Sequence, residues 1–269
     1  MDEIARYNIE RWAALAAADA LYTRPALDLD AHSARERVDA EGRLGDLNGR
    51  RVLCLASGGG NQSAAFALLG AQIVVLDISE AQLERDRRAA AHYGVRIETH
   101  QGDMRDLSRF DEGAFDVVQH SYSINFVPDA RAVFREVARV LRPGGVYYFM
   151  CANPFLFGLG TRDWNGEGYT LKQPYLQGGE TINADESWVY ERSGGREASP
   201  IAGSREFRHT LSNLVSWLVE AGFVVGHVSD YESLEPDPNA EPGSWDHFVS
   251  IAPPWLVFWT TYRPDFWKS

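Results

Sequence analysis

A short apolar run, Val52 to Leu55, leads straight into Gly58, Gly59 and Gly60, and a small-residue apolar stretch from Ala64 to Leu69 follows. No other feature constrains the chain so tightly. Such a run bounded by turn residues predicts a strand buried on both faces of a parallel sheet. The glycines then turn the chain into a helix and leave bare main chain at the carboxyl end of that strand. A ligand can lie against it there, because no Cβ holds it off and a sharp turn can take a positive φ.

The next apolar run, Gln72 to Leu76, ends in Asp77, seventeen residues after Gly60 (77 minus 60). In nucleotide-binding α/β folds an acidic side chain at the end of the second strand accepts hydrogen bonds from the ribose hydroxyls. A carboxylate suits a vicinal diol, since it offers two acceptor oxygens and no donor.

From Arg50 onward apolar runs alternate with helical patterns, which predicts a doubly wound α/β fold with helices on both sheet faces. Strands are expected at Arg50–Ala56, Ala71–Leu76, Val95–His100, Phe115–His120, Val146–Cys151, Phe223–Val228 and Trp255–Tyr262. The helix after the second strand is expected to start at Ser79 and close at Gly94. Residues 1–48 precede the first strand as an Ala-rich helical prelude, with Ile9, Trp12, Leu15 and Ala16 on one face, and are expected to form a cap. Residues 49–269 form the second unit. Within it, about 153–208 break the alternation with Gly, Pro and aromatic residues and no clear helix, which predicts a lid inserted after the fifth strand.

The formal net charge of −12 excludes most nucleic-acid partners, whose phosphates call for clustered Lys and Arg, and argues equally against an anionic membrane surface. Cys54 and Cys151 both lie inside apolar strands and are expected to be buried thiols of a cytoplasmic protein. No CxxC pair or helical His pair is present, so no protein-held metal is expected. The N-terminus carries no signal-peptide pattern. A small-molecule partner and a monomer or homodimer are the expectation.

Five segments carry a resemblance to a family: Val52–Gly60, Val75–Ser79, Gly102–Leu107, Phe115–Val118 and Val140–Val146, the last containing Leu-Arg-Pro-Gly-Gly. Together they resemble the class I S-adenosylmethionine-dependent methyltransferases, in the small-molecule group with the type 11 domain. The resemblance implies a mostly parallel seven-stranded sheet with one antiparallel strand, supplied by Trp255–Tyr262. It implies S-adenosyl-L-methionine as the cofactor. Ala56, Ser57, Gly58 and Gly60 would line its methionine and ribose part, with Gln62 nearby. Asp77 would hold the ribose hydroxyls, with Ile78 and Gln82 beside the nucleoside. Asp103 would accept from the adenine amino group, with Met104 near the ring, and His120, Ser121 and Tyr122 would face the sulfonium. Two positions depart from the pattern. Cys54 stands where an acidic residue is usual, and Ala56 where glycine is usual. The cofactor's ammonium then needs another acceptor, for which Asn61, Gln62 or a carbonyl near Ser57 are candidates. A dinucleotide-binding oxidoreductase would need a third glycine where Ser63 stands.

Methyl transfer is an in-line displacement at a carbon activated by a sulfonium. The protein must align the nucleophile, exclude water and take up a proton where the nucleophile carries one. Candidate bases are His120 and His209, both near the carboxyl edge of the sheet. Tyr122 and Tyr175 are candidates at the reacting centre. Tyr22, Asn125 and Asn153 are candidates for the acceptor. Tyr22 and Tyr175 stand out from the other aromatic residues of the cap and insertion because each lies in a loop near a proline. The alternative activity is an enzyme of the same fold that uses S-adenosylmethionine without methyl transfer, by cyclisation or carboxypropyl transfer, releasing methylthioadenosine.

Overall fold

The structure, a computed structural model, describes residues 2–183, 187–190, 201–230 and 234–266. In chain order the elements are α1 (Glu3–Ala17), α2 (Ala31–Asp39), β1 (Arg51–Leu55), α3 (Gln62–Leu68), β2 (Gln72–Asp77), α4 (Glu80–Tyr93), β3 (Ile97–Gln101), β4 (Phe115–His120), α5 (Ala130–Val140) and β5 (Leu141–Ala152). There follow β6 (Glu180–Asn183), β7 (Ser204–Phe207), α6 (Leu211–Glu220), β8 (Phe223–Ser229), α7 (Trp245–Ile251) and β9 (Trp255–Tyr262). Seven strands form one sheet in the order β3-β2-β1-β4-β5-β9-β8. All neighbours pair in parallel except β9, which is antiparallel to both β5 and β8. The order reverses between β1 and β4, the place in an open α/β sheet where a crevice opens beyond the strand ends.

The period-two pattern of the strands explains the two helical layers. Leu53 and Leu55 of β1, Val74 and Leu76 of β2, and Tyr147 and Phe149 of β5 share one core with Val133, Phe134 and Val137 of α5 and Leu214 and Leu218 of α6. Val52 and Cys54, Ile73 and Val75, and Tyr148 point the other way, onto Phe66 of α3 and Leu83 of α4. Burying each large side chain contributes roughly 1.5–3 kcal/mol, so a strand slipped by one residue would lose both layers at once.

Two expectations are corrected. The prelude is not a cap throughout: Ala34 and Val38 of α2 pack into the second core as part of the sheet's helical layer, while α1 together with Leu21, Tyr22 and Arg37 borders the cavities beyond the carboxyl edge. Within the segment from 153, β6 and β7 form an antiparallel pair. Ser79 stands at the N-cap of α4 but makes no side-chain cap; the Asp77 carboxylate accepts from the Ser79 N–H at 2.8 Å instead. Gly94 does close α4 in the left-handed region, at φ 65°. Helix α7 carried no periodic signal long enough to be read. Among the described residues no helix is long and apolar enough to cross a membrane.

Candidate active site

Beyond the ends of β1, β2 and β4 lie two adjoining cavities. The narrower holds about 570 Å³ of empty space, and its walls include Ala56, Gly58, Asp77, Ile78, Gln82, Gly102, Asp103 and Met104. Its roof is α1, through Ile4, Ala5, Asn8 and Trp12. The wider holds about 1340 Å³ counting its open mouth, and includes Tyr22, Ser57, Asn61, Gln62, Ser121, Tyr122 and Glu206. Trp12, Ala56, Gly58, Ser123 and Phe126 border both.

The glycine turn is held from below by two buried carboxylates. Asp77 accepts from the Gly58 N–H at 2.9 Å. Asp86, on α4, accepts from the Gly59 N–H at 3.0 Å and the Gly60 N–H at 3.1 Å, and from the Ser63 hydroxyl. A Cβ on Gly58 would lie 2.7 Å from Gln82 Cβ and 2.9 Å from Asp77 Oδ2, so this residue has no room for any side chain. Gly60 has φ +76°, and a Cβ there would meet the Arg85 carbonyl at 2.7 Å. Ala56 sits in the left-handed region at φ 45°, which explains why glycine is usual at that position. An L-residue there is strained by about 1–2 kcal/mol. Burial pushes Asp77 up to about 6, against the opposing backbone hydrogen bonds from Ser79 and Gly58. Burial likewise pushes Asp86 up to about 7, and the neighbouring Asp77 adds to it.

Asp86 carried no signal in the sequence. Cys54 is fully buried in β1, and its thiol is pushed up by burial and then by the charge of Asp86. The carboxylate usual on the first strand is thus absent, and one beneath the same glycine turn comes from α4.

The roof is fixed by ion pairs and carbonyl contacts. Arg105 donates from Nε to both oxygens of Asp103, at 3.0 and 3.1 Å, and from Nη1 to Asp2 at 2.6 Å. Asp2 caps α1 by accepting from the Ala5 N–H; its pairing with Arg105, and then this cap, hold its carboxyl down at about 2. Tyr7 Oη donates to the Gly203 carbonyl at 2.6 Å and Arg11 to the Ala202 carbonyl at 2.7 Å, joining α1 to the residues that lead into β7, the strand that carries Glu206.

Residues 53–149 match the family described as methyltransferase domain. An uncharacterized methyltransferase of Bacillus subtilis (strain 168), YbaJ, is 34% identical over 179 residues, covering 66% of this chain and 68% of that protein. The chain belongs to the S-adenosylmethionine-dependent methyltransferases. A ubiquinone biosynthesis O-methyltransferase of Bordetella avium (strain 197N) is 34% identical over 119 residues, 43% of this chain, and the match spans about half (49%) of that protein. In fold, the methyltransferase resembles an S-adenosylmethionine-dependent methyltransferase from Mesorhizobium loti, with a TM-score of 0.60 and 22% identity over 88% of this chain and 100% of that one.

The narrow cavity of this methyltransferase fits its cofactor on two observations. Gln82 is 2% exposed and its Oε1 has no partner among the described residues, which leaves a buried acceptor at the wall for a nucleoside hydroxyl or amine. Gly58 and Gly102 keep the floor free of side chains, since a Cβ on Gly102 would press Leu76 at 3.2 Å. Asn61 has its Nδ2 committed to the Arg24 carbonyl, at 2.9 Å.

Other candidate residues are held elsewhere. His120 is 1% exposed and borders neither cavity; Nδ1 faces Tyr147 Oη at 3.0 Å, and burial pushes the ring down to about 3, leaving it neutral. His209 has both nitrogens engaged, Nδ1 with Gln177 and Nε2 with the Ile124 carbonyl, and burial lowers it too. Tyr175 is stacked on Phe155 and accepts from the Leu211 N–H, away from both cavities. Asn125 donates to the Phe207 carbonyl and accepts from the Ala152 N–H. Asn153 bridges the Pro253 carbonyl and the Phe155 N–H. The polar atoms of these five are engaged within the protein rather than turned to either cavity, apart from His120 Nε2, which is buried without a partner among the described residues. Tyr22 does border the wider cavity, its ring at 5.9 Å from that of Trp12. Of the insertion's aromatics, Tyr190 packs against the cluster of Leu15 and Ala20, and the Trp188 side chain lies outside the described residues.

Proposed function

We propose that this methyltransferase transfers a methyl group to a small, flat organic molecule seated in the wider cavity, with the nucleoside of S-adenosylmethionine in the narrow one. The cofactor supplies a methyl carbon activated by a positively charged sulfur. The single observation that carries the reading is the shared wall: the narrow slot walled by Asp77 and Gln82 and the wider cavity edged by Tyr22 and Tyr122 have Trp12, Ala56, Gly58, Ser123 and Phe126 in common.

Asp77 would accept from the ribose hydroxyls, with Ile78, Gln82, Asp103 and Met104 around the adenine. Ala56, Ser57, Gly58, Gln62 and Ser121 would hold the methionine part. The aromatic rim stabilises a cation without competing as a nucleophile and keeps water off the reacting atoms. Alignment of this kind is worth roughly 7–11 kcal/mol in favourable cases. In this reading α1 and the described parts of 153–208 serve as the lid over a domain that begins near the first strand.

The test is incubation with S-adenosylmethionine and a library of small aromatic and aliphatic acceptors, with the nucleoside by-product analysed. S-adenosylhomocysteine together with a methylated acceptor is expected. Methylthioadenosine as the product would overturn methyl transfer.

A further inference from the structure

We infer that Glu206 is the general base of this methyltransferase and that its acceptor is a hydroxyl-bearing aromatic molecule, an inference that rests on the methyl-transfer reading of the two cavities. Glu206 lies on β7, inside the insertion, and is 5% exposed. It is the only carboxylate among the described residues that border the wider cavity. One oxygen accepts from the Ser204 hydroxyl at 2.6 Å, the other from Tyr122 Oη at 3.1 Å. Tyr122 follows β4 directly, beside Ser121 and Ser123 at the junction of the cavities, so the pair spans from the insertion to the sheet edge.

A buried carboxylate is costly unless hydrogen bonded. Two hydroxyl donors offset that cost, yet a carboxylate offers about four lone-pair sites, and the remaining ones are available to the cavity. Neither histidine reaches this space, since both are pinned in the protein's interior. A nucleophile already ionised in solution, such as a thiolate, needs no base. A carboxylate kept here, among the rings of Trp12, Tyr22 and Phe126, suits a flat acceptor whose nucleophilic oxygen must shed a proton. In the step, the acceptor O–H proton passes to a free lone pair of Glu206 as the acceptor oxygen bonds to the methyl carbon. The carbon–sulfur bond of the donor breaks, and its electron pair stays on sulfur, which becomes neutral. Glu206 returns its proton to water through the open mouth when the product leaves.

The experiment uses the whole chain, with catechol, phenol and thiophenol as probes. Thiophenol is largely ionised at neutral pH and needs no base. S-adenosylhomocysteine binding is measured first by calorimetry; its absence from the wild type would sink the reading of the cavities themselves, whatever Glu206 does. Where it binds, Glu206→Gln is expected to keep that affinity within twofold, to bind catechol at least tenfold more weakly in the S-adenosylhomocysteine complex, and to lower catechol or phenol methylation at least 100-fold. Thiophenol methylation should change less than threefold. Should Glu206→Gln not fold, Tyr122→Phe serves in its place: it leaves one carboxylate oxygen without its hydroxyl partner, and should lower the catechol rate at least tenfold more than it lowers the thiophenol rate. Failure of the wild type to methylate either phenol, or an equal effect of the variant on phenol and thiophenol, overturns the inference.

Discussion

Substituting Gly58 by alanine probes the bare-backbone floor of the cofactor slot. The new Cβ would stand 2.7 Å from Gln82 Cβ and 2.9 Å from Asp77 Oδ2. Carbon atoms prefer about 3.5–4.0 Å, so Gln82 must retreat by roughly 1 Å and Asp77 must turn. Both are buried, at 2% and 8% exposure, and overpacking of this kind destabilises by about 1–3 kcal/mol. Turning Asp77 also weakens its bond from the Gly58 N–H, and it moves two side chains that face the nucleoside. The expected result is about 2 kcal/mol lost in urea unfolding, together with at least tenfold weaker S-adenosylhomocysteine in calorimetry, about 1.4 kcal/mol. Gly160→Ala is the control. Nothing lies within 4 Å of its Cβ and its φ of −149° suits any residue, so both readings should stay near wild type. Binding within twofold of wild type in Gly58→Ala would refute the argument that main chain contact requires glycine here.

Ala56→Gly relieves the left-handed strain of about 1–2 kcal/mol and gives back about 0.4–1 kcal/mol through the freer unfolded chain, so a higher urea midpoint is expected, and a lower one would show that φ 45° is not strained. Asp77 carries a carboxyl raised to about 6 by burial; because the folded value lies above the unfolded one of about 3.9, its contribution to stability is complete below pH ~4 and is lost as pH rises through about 6. Hydrogen bonds from ribose hydroxyls favour the ionised form, so S-adenosylhomocysteine should bind more tightly at pH 7.5 than at pH 5, and Asp77→Asn should flatten that dependence. Asp86→Ala removes the acceptor shared by the Gly59 and Gly60 N–H groups and the Ser63 hydroxyl, and calorimetry should show at least tenfold weaker nucleoside binding.

Sheet, glycine turn and strand-end aspartate were legible because each is written locally. Val52–Leu55 and Val74–Leu76 are apolar on both faces, and the bare turn can only be glycine where a Cβ would strike Gln82. The site beyond them was legible in part. His209, Asn125 and Asn153 stand where the sequence put them, near the carboxyl edge, but their polar atoms are taken up by other groups, most of them far away in the chain: Gln177 and Ile124 for His209, Phe207 and Ala152 for Asn125, and Pro253 and Phe155 for Asn153. Which way a side chain turns at a strand end depends on those distant partners. Glu206 gave no signal at all. It sits in Ser-Arg-Glu-Phe, and it is carried to the cavity by the pairing of β6 with β7, by the bonds of α1 to Ala202 and Gly203 just before β7, and by Asn125 on the Phe207 carbonyl. Asp86 was hidden for a similar reason: on α4 it reads as one of several helix charges until α4 is laid beneath the glycine turn.

The central claim is that a nucleoside occupies the slot between α1 and the ends of β1 and β2, with its ribose on Asp77. Calorimetric titration of S-adenosylhomocysteine into the wild type and into Asp77→Ala tests it most directly. One binding site in the wild type and at least a thirtyfold loss in the variant, about 2 kcal/mol, are predicted. Equal binding by the two proteins, or no heat from either, would contradict it.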